Sequence, residues 1–230
     1  MNTDELIERL AADLKPVRPL PLPWARTALW LGIALPYVAI VVWAKLTVID
    51  PIHAANDTRF MIEQAATLAT AVTAAIAAFR SAVPGFDMKI LLLPMAPLAL
   101  WLASVGHGCM QDWLRLGADG LAIRPDWDCL PMAMIIGIVP AATLIVMLRK
   151  AAPLYPRLTL ALAALAVASI ANFGLQVAHI HDASIMVLVW HLAAAGVLAI
   201  LGGWLGKRVL GGQPGSLSMR LSARKTSRQV

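Results

Sequence analysis

The chain has 230 residues, 60% of them hydrophobic and 14% charged, with a formal net charge of +6 at pH 7 and a mean hydropathy of +0.74. A soluble domain is about 45–50% apolar and about 25% charged, so this is one domain's worth of chain whose excess apolar content points to membrane spans and not to a larger core. The net charge is no argument for nucleic-acid binding until the cations have been located along the chain.

Residues 1–26 are polar and read as a short cytoplasmic helix followed by a spacer. Asn2 or Thr3 can cap the helix, with Glu5 three residues after Asn2 in a loose capping-box spacing. Leu6, Leu10 and Leu14 recur at i, i+4 and i+8 with Ile7 and Ala11 beside them, which makes one apolar stripe. Asp4, Glu5, Glu8 and Asp13 occupy the other faces. Pro16, Pro19, Pro21 and Pro23 then oppose helix and favour an extended spacer. The segment lacks the basic start, apolar centre and cleavage site of a signal peptide.

A spanning helix needs about 20 mainly apolar residues. Six segments meet this or nearly so: Thr27–Thr47, Phe60–Phe79, Ile90–Val105, Leu130–Leu148, Leu158–Val177 and Ser184–Leu205. The second and fifth are rich in small residues, which suits close helix contacts inside a bundle. The third is short and carries Pro94 and Pro97. The expected fold is therefore all-α and polytopic, with a six-helix membrane domain over residues 27–210, an outer loop at 106–130 and a basic tail at 211–230. The positive-inside rule sets the direction. With both termini in the cytoplasm, 15 of the 19 Lys and Arg fall on the inner side, leaving Lys45, Arg59, Arg115 and Arg124 outside. This asymmetry accounts for the net charge without nucleic acid.

The same topology puts both cysteines, Cys109 and Cys129, on the outer side, one at each foot of GHGCMQDWLRLGADGLAIRPDWDCLP over residues 106–131. His53, His107, His179 and His181 join them there. The outer face of a bacterial inner membrane is oxidising, so a structural disulfide is one reading of the two thiols. A switchable thiol pair or a soft-metal site is another. Cys109, Cys129, His179 and His181, with His107 nearby, offer the thiolate and imidazole ligands that copper or zinc would take. No CxxC spacing is present, and no cofactor is obligatory. Most tryptophans fall near span ends, as an aromatic belt expects. Glu63, near the outer end of the second span, reads as an interfacial carboxylate.

The helix at Leu6–Leu14 is the one cytoplasmic element with an apolar stripe. Helices that lie on membranes usually carry Lys and Arg on their polar face, whereas this one is acidic. The stripe of Leu6, Ile7, Leu10 and Leu14 flanked by Glu5 and Glu8 better suits docking into a basic protein groove.

The chain resembles the NrsF-type family of multi-pass membrane anti-sigma factors to about residue 210. The resemblance rests on MNTDELIERLAADLKPVRPLPLPWARTALWL at the start, GCMQDW around Cys109, RPDWDC ending at Cys129, and HDASIMVLVWHL at 181–192. It implies six spans in the inner membrane, the lipid bilayer as surroundings, and an extracytoplasmic-function sigma factor as partner, with no enzymatic activity. It also implies that Cys109 and Cys129 take part in sensing metal or oxidative stress. Two other readings compete. A thiol-redox protein would want a CxxC pair. A small metal transporter would want polar residues along a path, for which Asn172, Gln176 and His191 are the candidates. Oligomeric state stays open.

Overall fold

The computed structural model describes residues 3–12, 20–45, 57–83, 85–117, 129–151, 153, 155–178, 196, 200 and 204. Every regular element among them is helical: α1 (Thr3–Ala12), α2 (Pro23–Lys45), α3 (Thr58–Ser81), a short 3-10 helix (Met88–Leu92), α4 (Met95–Leu116), α5 (Cys129–Arg149) and α6 (Pro156–Ala178). Five helical stretches, Pro23–Ala44, Thr58–Ser81, Met88–Leu116, Pro131–Arg149 and Pro156–Val177, are long and apolar enough to cross a membrane. The expected sixth span, Ser184–Leu205, falls almost wholly outside the described residues.

Prolines explain two of the helix starts. Pro23 takes the first position of α2, where its fixed φ suits the helix and its missing N–H is not needed. The first span thus begins inside the Pro-rich spacer, four residues before the expected Thr27. Pro94 precedes α4 and Pro97 sits in its first turn, so neither interrupts the ladder. α4 consequently runs on to Leu116, far beyond the expected Val105. Residues 106–116 of the expected outer loop are helix, and Gly117 ends it with a φ of 62°.

The small residues act as their spacing predicts. Ala71, Ala74, Ala75, Ala77 and Ala78 of α3 are fully buried, and so is Ala166 of α6. With no bulk between them, α3 and α6 pack directly and are the most buried spans. Two polar pairs mark their antiparallel register. Gln64 Nε2 donates to Gln176 Oε1 at 3.1 Å, and the hydroxyls of Ser81 and Thr159 lie 3.0 Å apart. The pairs are separated by the same number of residues on both helices, which at ~1.5 Å per residue places them about 25 Å apart.

α2 packs antiparallel on α5 by a different device. Trp30 Nε1 donates to the carbonyl of Pro140 at 2.9 Å, and the Tyr37 hydroxyl to that of Ile135 at 2.7 Å. Both acceptors lie near Pro140, where a proline inside the helix distorts the carbonyl ladder. At the far end Arg26 is buried, donating to the Met147 carbonyl at 2.6 Å with its guanidinium 4.2 Å from the centroid of the Phe79 ring. Trp30 and the buried Trp101 therefore belong to the core, while Trp24, Trp43 and Trp113 are exposed near helix ends as an aromatic belt requires.

Candidate functional site

Asp57 starts the site. Its carboxylate caps α3, accepting from the backbone N–H of Arg59 at 2.9 Å and Phe60 at 3.4 Å. The cap fixes Arg59 in the first turn, and helical geometry then sets Glu63 one turn on. Arg59 Nε donates to Glu63 Oε1 at 2.9 Å. The same carboxylate oxygen accepts from Ser104 Oγ of α4 at 3.1 Å. The two helices keep one antiparallel register along this seam. Arg59 lies against Gly108, Glu63 bonds Ser104, and Ala66 clusters with Trp101 and Val105.

Glu63 is 8% exposed, so the carboxylate expected near the outer end of the second span is buried against its neighbours. Its charge is met by Arg59 and by the Ser104 hydroxyl, which is how a buried carboxylate is tolerated. Gly108 is buried because the Arg59 guanidinium fills the place where a Cβ would stand. Cys109, the next residue, carries a free thiol, is half-buried, and packs against the cluster of Ala66, Trp101 and Val105. Arg59, Glu63 and Asp112 all lie within electrostatic reach of it.

Beside this seam lies a second group of buried polar side chains. Gln64, Asn172 and Gln176 are each 7–8% exposed. Beyond the Gln64–Gln176 bond, Gln64 Oε1, Gln176 Nε2, Asn172 Oδ1 and Trp101 Nε1 have no hydrogen-bond partner. Asn172 and Gln176 are one turn apart on α6 and were expected polar residues of that span. Gln64 is the partner that the sequence reading passed over.

The expected site residues fare unequally. His107 is exposed on α4 and two residues from Cys109, so the two leave the helix on different faces and are not brought together. Cys129 begins α5, but its side chain lies outside the described residues, as do His179 and His181. Among the described residues no three His, Cys, Asp or Glu side chains assemble as a metal cage. On α1, Glu5, Ile7 and Glu8 are exposed, Leu14 lies outside the described residues, and so do the side chains of Leu6 and Leu10. Arg59, Ser104 and Gly108 were not singled out from the sequence. The signal for Arg59 was legible: an Asp cap followed by Arg and Glu at i, i+4. Ser104 and Gly108 become visible only once α4 is seen to continue through them.

A helical bundle with a half-buried thiol, preceded in the chain by an exposed acidic helix, is a form many proteins could share, and the deciding observation is a match along the chain. The family described as negative regulator of sigma F, NrsF, matches residues 10–211. The chain belongs to the NrsF family. The match takes in all five described helices of membrane length, both cysteines and residues 179–181, and it begins inside α1. Comparison with curated proteins and with solved structures gave no match. A sigma factor is thus the partner that the NrsF description implies, and the membrane-length helices account for the apolar composition.

Proposed function

We propose that this NrsF-family chain is a multi-pass anti-sigma factor of the bacterial inner membrane. It holds an extracytoplasmic-function sigma factor at the cytoplasmic face through α1. Both termini lie in the cytoplasm, and the Cys109 end of the bundle faces outward. Metal or oxidant acting on Cys109 and Cys129 shifts the bundle to a packing with lower affinity for sigma. In this proposal His179 and His181 serve as further ligands for copper or zinc. Differential affinity for the two packings bounds the response. A hundredfold loss of sigma affinity corresponds to about 2.7 kcal/mol of coupling, within the usual range.

The observation that carries this reading is α1. Its Ile7 is 59% exposed, and every other α1 residue whose burial is described is exposed too. Among the described residues, the extensive helix packing is all within α2 to α6 and the 3-10 helix. An apolar residue on an acidic helix, left uncovered in a chain whose family regulates a sigma factor, has its partner elsewhere. The deciding experiment is co-purification from detergent. The full chain should retain an endogenous sigma factor, and a chain lacking residues 2–14 should not. Retention by the truncated chain would refute the role of α1.

A transporter draws some support from the buried Glu63, Gln64, Asn172 and Gln176, but these residues gather near the Cys109 end. Thr67 and Thr70 turn back onto their own helix, bonding the carbonyls of Glu63 and Ala66. Below them Ala71, Ala74 and Ala75 are fully buried, so the described residues offer no polar path through α3.

A further inference from the structure

Arg59 is placed to do more than neutralise Glu63. Its guanidinium occupies the volume beside Gly108 that any other residue would claim with its Cβ. The side chain is 33% exposed, so it has solvent to move into, whereas Glu63, at 11%, has not. Cys109, the residue after Gly108, is half-buried and packs against Ala66, Trp101 and Val105. We propose that the Arg59 guanidinium is a gate over the Cys109 turn, whose displacement both exposes the thiol and uncouples α3 from α4.

The physical argument is one of competition. A thiophilic cation approaching Sγ brings positive charge within electrostatic reach of the guanidinium that lies against the adjoining Gly108, and the two repel. Arg59 can yield outward. When it does, Glu63 loses its ion-pair partner while remaining buried, which is the costly arrangement for a carboxylate. Ser104 is then the one α4 group still bonded to it. The α3–α4 seam is thereby loosened at the point where the ligand acts. Because α3 also carries the direct packing on α6, the disturbance enters the most buried pair of spans. By reciprocity, whatever breaks the Arg59–Glu63 pair must also ease access to the thiol. Arg59 is thus a positioning residue for Cys109, and this proposal rests on the reading of Cys109 as a sensing thiol.

The test uses the full chain in detergent micelles with Cys129→Ser, so that Cys109 is the single thiol. N-ethylmaleimide labelling is followed over a pH series and expressed as a rate per thiolate, which removes any effect of Arg59 on thiol ionisation. Arg59→Gln and Gly108→Ala should each raise that rate at least about fivefold, the low end of ordinary coupling. Gly108→Ala is the sharper variant, since the atoms it meets are the far end of a flexible side chain and not backbone. Arg59→Lys, which keeps a cation on a long stem, should stay within about twofold of the parent. Unchanged rates in both Gly108→Ala and Arg59→Gln, with helical circular dichroism intact, overturn the gate. Sigma co-purification with the same variants separates the two ideas. A raised labelling rate with sigma still bound leaves the gate standing and removes the link to sigma release.

Discussion

At the scale of single residues, the molecule shows how polar groups are carried in apolar helices. Gln64 and Gln176 share one bond across the α3–α6 interface and leave their remaining polar atoms without partners. Gln64→Leu should therefore destabilise the bundle by about 1–3 kcal/mol, because it strands the amide of Gln176. Gln64→Leu with Gln176→Leu should recover most of that loss, seen as a non-additive pair of thermal unfolding shifts in detergent. Additive shifts would mean that the bond contributes nothing. Gly174 is a steric case: a Cβ there would stand 2.8 Å from Val38 Cγ1 and 3.2 Å from Ile136 Cγ2. Gly174→Ala should cost roughly 1–3 kcal/mol through overpacking. Gly137→Ala is its control, since that Cβ meets Val167 Cγ1 at 3.7 Å, an ordinary contact. An equal effect at both sites would remove the steric explanation.

At the scale of elements, the contrast is between helices buried against one another and one whose described residues are all exposed. α2 is held to α5 by side-chain donors reaching carbonyls around Pro140. Trp30→Phe keeps the ring and removes the Nε1–H donor, so it should lower stability by about 1 kcal/mol, measured by unfolding in detergent. The described residues of α1 are exposed, and its stripe is the natural place to weaken a partner complex. Ile7→Glu should reduce retention of sigma by about tenfold or more, as loss of an apolar anchor does, while leaving the thermal stability of the bundle unchanged. A fall in both would place Ile7 in the fold and not at an interface. The Leu6, Leu10 and Leu14 periodicity made this helix legible in the sequence, because an amphipathic stripe depends on local spacing alone.

At the scale of the whole molecule, the reading as a sensor requires that events at the Cys109 end reach α1 at the other. The path available is α4 to α3 through Arg59, Glu63 and Ser104, then α3 to α6, and α3 to the base of α2 through Phe79 and Arg26. Cys109→Ser with Cys129→Ser should abolish the response of a sigma-dependent reporter to metal without raising its basal level. A response that persists in the double variant would end the role assigned to the thiols. Arg26→Ala should blunt the response by loosening the base of the first span, with thiol labelling at Cys109 unaffected. A changed labelling rate would mean that the substitution had disturbed the bundle as a whole.

Length, apolar content and helical periodicity were enough to establish an all-helical chain with membrane-length segments, because hydrophobic length and amphipathic spacing are local properties. Among the described residues, helices long and apolar enough to span stand at five of the six expected segments, with ends displaced by a few residues except in α4. There Pro94 and Pro97 suggested a weak span when they mark its beginning, and the polar stretch from residue 106 was expected as a loop where the helix continues. Only the tertiary structure decided what Glu63 is. Its cost in an apolar setting depends on whether Arg59 and Ser104 are within bonding distance, and Ser104 is distant in sequence. The same holds for Gly108, whose missing side chain has meaning only because the guanidinium of another helix lies in its place.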